Sequence, residues 1–190
     1  MQTQWIVIAV LVAIALYAIV VFNRLTRQRN MVREGWSGID VQLRRRTDLI
    51  PNLVETVKAY AAHERGVFED VTAKRASSIT ASGVGDHAAA ASALSGSLGK
   101  LMAVAEAYPQ LKADQNFRDL QAQLADIEDQ IQMARRYYNG AVRNLNISIE
   151  SFPDVLVARP LGFKEEPFFE LDDRATQGAA PQITFPGAKA

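Results

Sequence analysis

Apolar residues recur every three or four positions along most of the chain. Four sets of such positions lie at residues 25–43, 53–71, 94–108 and 117–149, and the last is the longest. This spacing places an apolar stripe on one face of an α-helix and is close to the seven-residue repeat of a coiled coil. No segment shows the sustained alternation of a β-strand. The pattern therefore predicts an all-α protein with four helices.

Short polar or proline-containing segments separate these helices. They lie at residues 48–51, 77–87, 108–109 and 151–153. The first suits a bend with a new helix starting near the proline. The second is rich in Ser, Gly and Ala and predicts a flexible loop. Asp114 is the expected N-cap of the fourth helix.

The N-terminal segment differs because residues 5–22 (WIVIAVLVAIALYAIVVF) carry no charge. This length just suffices for a transmembrane helix, and its apolar side chains favour insertion by about 5 kcal/mol. The alternative is a cleaved signal peptide with Ala-Ile-Ala at 13–15 as the cleavage signature. Residues 1–4 lack the basic side chains of a signal peptide, and the apolar run continues past residue 15. We therefore expect an uncleaved, single-pass anchor.

Basic residues follow this span closely, and none precedes it; they are Arg24, Arg27, Arg29 and Arg33. Cytoplasmic flanks are usually the positive ones, so we expect the N-terminus outside and the bulk of the chain in the cytoplasm.

Four helices with short connections pack most simply as an elongated antiparallel bundle. If the first helix continues out of the membrane, residues 48–52 and 108–114 share a distal tip, roughly 35–40 Å above the bilayer. After residue 152 the helical pattern gives way to Pro, Gly and isolated Phe, which predicts an irregular, weakly packed tail. The predicted organisation is a short N-terminus and span at 1–22, a bundle at 23–152 and a tail at 153–190.

Composition excludes several classes of function. Acidic and basic residues balance at 21 each, which gives no support for nucleic-acid binding. The chain has no Cys and only two His, so thiolate chemistry is excluded and a metal site would need carboxylate ligands. Hydrolase, nucleotide-binding and zinc-protease motifs are absent. The adjacent His63 and Glu64 would diverge on a helix. We expect no enzyme, no cofactor and no metal.

Two other groups of residues allow two interpretations each, and the aromatic residues of the tail allow one. The basic cluster at 44–46 either complements the C-terminus of a helix or binds an acidic partner. Tyr137, Tyr138 and Asn139 form either a polar site or a core edge whose hydroxyls reach the rim. The tail contains Phe residues that we expect to pack back on a groove near the membrane, at positions Phe163, Phe168, Phe169 and Phe185.

The combination of motifs resembles the LemA family over nearly the whole chain. The matching segments include WSGIDVQL at 36–43, RRTDLIPNLV at 45–54, YPQLKA at 108–113, ARRYYN at 134–139, SFP at 151–153 and PQITFP at 181–186. The resemblance implies a bacterial membrane protein with one N-terminal span, a helical bundle and a cytoplasmic bulk. It implies no enzymatic activity, and no catalytic residue is carried over.

The sequence favours a non-enzymatic, membrane-anchored scaffold or adaptor with an unknown protein partner. Connections held by rigid elements often carry binding residues, so the predicted binding tip consists of Arg45, Arg46, Asp48, Ile50, Pro51, Asn52, Tyr108 and Lys112. An equally weighted alternative is that these residues only cap helices and fix the bend. A different class of function is a membrane organiser that self-assembles through lateral homo-oligomerisation, for which Ala9 and Ala13 offer a small-residue face.

Overall fold

The computed structural model describes residues 1–170, and every regular element in this part of the chain is an α-helix. The helices are α1 (Gln2–Lys58), α2 (Arg65–Thr80), α3 (Gly83–Glu106), α4 (Pro109–Ala113), α5 (Gln115–Glu150) and α6 (Val155–Ala158). The predicted all-α class is confirmed. The predicted tail aromatic Phe185 lies outside the described residues.

Helix α1 is continuous over 57 residues but changes character along its length. Its large apolar side chains are exposed up to Val20, whereas buried positions recur from Val21 onward. The exposed part contains the apolar segment predicted to cross a membrane, and it is long and apolar enough to do so. Helix α3 is also long and apolar enough to cross a membrane, but 39% of its 18-residue apolar window is buried inside the protein, against 6% for α1.

The predicted break at residues 48–51 is wrong, because α1 continues through Pro51. A proline inside a helix has no N–H to donate to the carbonyl oxygen four residues earlier, here that of Thr47. Arg75 on α2 donates its Nε–H to that oxygen instead, at 2.7 Å. The bend falls at residues 59–64, after the end of α1. The distal end therefore stands about 15 Å further along the helix axis than predicted.

The predicted flexible loop at residues 77–87 is also wrong. Helix α2 continues to Thr80 and α3 begins at Gly83, so only a short turn separates them. The hydroxyls of Ser77 and Thr80 donate to backbone carbonyls one turn earlier, which lets these polar residues remain helical. The turn needs a left-handed residue, and Gly83 provides it with a φ of 83°.

Two hydrophobic clusters form the core of the described chain. The cluster on the side of the apolar span joins residues 21–43 of α1 to the start of α3, the second half of α5 and α6. The distal cluster joins the end of α1 to α2, α3, α4 and the start of α5. Helices α1 and α5 approach each other closely at Gly35, where an added Cβ would lie 3.0 Å from the Cα of Tyr138.

The described part of the segment after α5, residues 151–170, is packed, contrary to the prediction of a weakly packed tail. It forms α6 and then continues without regular structure to residue 170. Phe163 and Phe169 are buried in the cluster on the side of the span, whereas Phe168 is exposed. The described part of the tail thus docks on helices of its own chain.

Candidate interaction surfaces

The residues predicted to form the distal tip do not meet at one connection. Six of them lie within α1: Arg45, Arg46, Asp48, Ile50, Pro51 and Asn52. Tyr108 immediately precedes α4, and Lys112 lies within it. The placement of residues 45–52 at a helix connection is therefore wrong, because Pro51 does not end the helix. That these residues bind a partner stays a prediction.

Arg46 is a buried cross-link between three helices, with only 1% of its surface exposed. Its Nη1 donates to a Glu128 carboxylate oxygen on α5 at 2.8 Å and to Oγ of Ser95 on α3 at 3.0 Å. Its Nη2 donates to the carbonyl oxygen of Ala91 at 3.0 Å. Burial of a charge is costly unless it is paired and hydrogen-bonded, and these contacts supply that pairing. Both terminal nitrogens of Arg46 therefore bond within the protein, and the buried side chain does not face a partner.

The positions of the residues near Arg46 also differ from those predicted from the sequence. Residues 44–46 lie in the interior of α1, so they do not complement the C-terminus of that helix. Arg44 instead pairs with Asp40 one turn earlier, at 2.9 Å. Ile50 is buried in the distal cluster, against which the half-buried Tyr108 packs.

Arg45 and Asp48 remain exposed and line an open groove between α1 and α5. This α1–α5 groove has a volume of about 560 Å³ and is lined by Arg45, Asp48 and Leu49 on α1 and by Ala122, Gln123, Asp126 and Ile127 on α5. It combines apolar side chains with charges of both signs. Such a surface suits an amphipathic protein segment better than a small, uniformly charged ligand.

The actual distal end is formed by residues 59–64 together with the segment around α4. The hydroxyl of Tyr60 donates to Oδ2 of Asp114 at 3.1 Å, and Oδ1 of Asp114 accepts from the backbone N–H of Phe117 at 3.0 Å. The predicted N-cap role of Asp114 is confirmed. His63 is exposed in this turn.

These contacts shift two pKa values in opposite directions. The backbone N–H of Phe117 stabilises the ionised carboxylate and lowers the pKa of Asp114 below its ordinary 3.8. The hydrogen bond and the charge of Asp114 raise the pKa of Tyr60 above its ordinary 10.0. Both partners therefore keep their neutral-pH protonation states over a wider range of pH.

Two asparagines on α5 hold the backbone of the tail. The amide of Asn146 donates to the carbonyl oxygen of Glu166 and accepts from the Glu166 N–H, at 2.9 Å each. Asn139 makes the same pair of bonds to Phe169, at 3.1 and 2.9 Å. We call this pair the asparagine clamp. Asn139 and Asn146 are seven residues apart, which is about 10 Å along a helix. Their partners Phe169 and Glu166 are three residues apart, which is about 10 Å in an extended chain. The spacing of the two asparagines therefore fits an extended backbone.

Tyr138 joins this clamp to the core. Its ring is buried, and its hydroxyl donates to the carbonyl oxygen of Pro167 at 2.8 Å. Burial, with a smaller effect of the Glu166 charge, raises the pKa of Tyr138 to about 12. Trp36 packs edge-on against Tyr138 and His87, with ring centroids 5.9 and 5.3 Å apart. Tyr138 thus fits the interpretation of a core aromatic with a hydroxyl at the rim.

Sequence reasoning missed Arg75, Asn146 and Asp154, each of which bonds across a long sequence separation. Asn139 and Asn146 are seven residues apart, and each follows a buried position of the α5 stripe. That repeated Asn was the available signal. No comparable signal marks Arg75. Within residues 1–170 no group of three or more His, Cys, Asp or Glu side chains is arranged to hold a metal ion.

Residues 1–170 define an all-helical protein with a candidate N-terminal membrane helix and a core that lies along α1 from Val21 onward. The chain belongs to the LemA family, whose model matches residues 35–185.

The chain is also similar to proteins described as magnetosome proteins. It is 29% identical to the magnetosome protein MamQ of Magnetospirillum gryphiswaldense over 77% of this chain. It is 27% identical to the magnetosome proteins MamQ 1 and MamQ 2 of Paramagnetospirillum magneticum over 94% of this chain and 75% of each relative. The match spans 64% of the length of the Magnetospirillum gryphiswaldense protein. These similarities agree with membrane association.

Proposed function

We propose that this protein is a non-enzymatic, membrane-anchored scaffold that holds a protein-binding surface at a fixed distance from the bilayer. The observation that carries this proposal is the continuity of α1, which joins an exposed apolar segment to both core clusters without a break. At 1.5 Å per residue this helix is about 85 Å long. A stiff connection of this kind transmits position, which a flexible linker does not.

We further propose that α1, α2, α3 and α5 form an elongated antiparallel four-helix bundle. The order of contacts between α1 and α5 supports it, because later residues of α1 meet earlier residues of α5. Gln28 bonds to Ser148, Tyr137 bonds to Glu34, and Arg46 bonds to Glu128. We propose that the span lies in a bacterial cell membrane. The basic residues after it support an N-terminus outside the cell and a bundle in the cytoplasm.

The proposed binding surface is the α1–α5 groove, which retains Arg45 and Asp48 of the tip predicted from the sequence. Arg45 and Asp48 supply charges of opposite sign beside Leu49 and Ile127. A helical or extended segment of a partner protein would bury the apolar side chains and pair with the charges. Buried residues such as Arg46 and Ile50 would support the surface without touching the partner.

The test is photocrosslinking in cells from position 123, which lines the groove. Position 125 is the matched control, because Ala125 is exposed on the same helix but does not line the groove. A discrete heterologous product from position 123 alone is expected. A product of two copies of this chain would favour the self-assembling organiser instead. Equal products from both positions, or none from either, would count against the groove as the binding surface.

A further inference from the structure

The segment after α5 contacts the candidate membrane helix within the apolar segment 5–22, at Tyr17. The hydroxyl of Tyr17 donates to Oδ1 of Asp154 at 2.7 Å, and Arg24 forms an ion pair with the same carboxylate. Asp154 is buried and immediately precedes α6. The position of Tyr17 along α1 therefore fixes where α6 lies relative to the candidate membrane helix.

That position lies within the membrane if residues 5–22 cross it. These residues cover about 27 Å as a helix, slightly less than the roughly 30 Å of a hydrocarbon core. The whole segment is then needed to cross the membrane, and Tyr17 lies about 7 Å inside the hydrocarbon boundary. Because Asp154 bonds to Tyr17, α6 lies at the same depth.

The side chains of this segment suit such an environment. Phe152 is 80% exposed, Leu156 65% and Leu161 53%. An apolar groove of about 760 Å³ separates the segment from the span, and its lining includes Val10, Ile14 and Tyr17 on one side and Leu156, Pro160 and Leu161 on the other. In water these contiguous apolar side chains would form an unfavourable patch.

Residues 152–161 carry two charged side chains, Asp154 and the exposed Arg159, and the buried carboxylate of Asp154 is compensated. A carboxylate inside the hydrocarbon is costly unless it is paired, and Asp154 has both a hydroxyl donor and a guanidinium partner. Arg24 lies further along α1 than Tyr17, toward the membrane surface, and an arginine near a helix end can extend its charge to the interface. The contacts of Asp154 thus fit a site at the edge of the bilayer.

We propose that residues 152–161 embed in the leaflet that faces the helical domain, and that lipid acyl chains fill the groove between α6 and the span. The protein would then contact the membrane through two elements, the span and this segment. Two contacts fix the tilt and rotation of α1 as well as its depth, which a single helix does not. This inference rests on the membrane anchor of the proposed function.

Site-directed spin labelling tests it directly, because the chain has no native Cys. Leu156→Cys, Leu11→Cys and Ile79→Cys variants are labelled in the full chain and reconstituted in phosphatidylethanolamine–phosphatidylglycerol vesicles. All three side chains are exposed, so the labels do not disturb the core. Ile79 is the matched apolar control, since it lies on α2. Collisions with molecular oxygen and with a water-soluble nickel chelate are measured by power saturation.

The expected result is that labels at positions 11 and 156 favour oxygen severalfold over the nickel chelate, while the label at 79 favours nickel. A label at 156 that behaves like the one at 79, while position 11 favours oxygen, would overturn the embedded segment and leave the anchor intact. Nickel access at position 11 would overturn both.

Discussion

Arg75 donates to the carbonyl oxygen of Thr47, the helical acceptor that Pro51 leaves without its usual donor. This single bond of 2.7 Å explains how α1 continues through a proline. An interior proline ordinarily kinks or ends a helix because the freed carbonyl loses its partner. Here a guanidinium from α2 replaces the missing N–H.

This relationship predicts coupling between Arg75 and Pro51. Arg75→Ala should destabilise the protein by about 1 to 3 kcal/mol, because it leaves the Thr47 carbonyl without a donor. In a Pro51→Ala background the backbone N–H returns, so the same Arg75→Ala substitution should cost much less. Urea unfolding of the four proteins gives the coupling free energy. Equal costs in the two backgrounds would show that the bond does not compensate for Pro51.

The buried cross-link at Arg46 predicts an asymmetry between its two partners. Glu128→Ala should cost about 2 kcal/mol or more, because it leaves a buried guanidinium without its counter-charge. Arg46→Met should cost less, because an apolar side chain of similar length needs no pairing and Glu128 is partly exposed. Thermal unfolding measures both. Asp129→Ala, at an exposed neighbouring position, is the control and should change stability little.

The asparagine clamp predicts a local effect on the tail. Asn139→Ala should accelerate hydrogen exchange of the Phe169 amide about tenfold, equivalent to about 1.4 kcal/mol for one lost hydrogen bond. Exchange in the middle of α5 should stay unchanged. Asn144→Ala is the matched control, since Asn144 is exposed on the same helix. Unchanged protection of Phe169 in the Asn139 variant would mean that packing alone holds the tail.

The capping contact of Asp114 predicts how stability depends on pH. Its folded pKa is lowered, so its contribution is fully present above the ordinary value of 3.8 and is lost as the pH falls through the folded pKa. Asp114→Asn keeps a capping oxygen but removes the charge. The wild-type protein should therefore have the higher melting temperature at neutral pH, and the difference should shrink in acid below pH 3.8. A difference that is constant from pH 2 to 7 would contradict this.

The sequence alone determined the helical class and most of the buried face of each long helix. Positions such as Leu25, Ile39 and Ile131 belong to an apolar stripe, and they are buried. Local chemistry also identified the Asp114 cap and the apolar segment of α1. These features depend on residues close together in the chain, and their patterns persist without knowledge of the partner helix.

The tertiary structure decided where the helices bend and how the tail is held. Pro51 predicts a break by its own chemistry, but Arg75 from another helix removes the reason for one. The tail has no helical pattern, yet Asn139 and Asn146 bind its backbone. Because every residue except proline has the same backbone groups, such a contact cannot be predicted from the side chains of the tail. Asp154 likewise accepts a hydrogen bond from Tyr17, which is 137 positions away in the sequence. Compensation between distant residues overrode the local preferences, because a polar group is satisfied equally well by any donor that the fold brings to it.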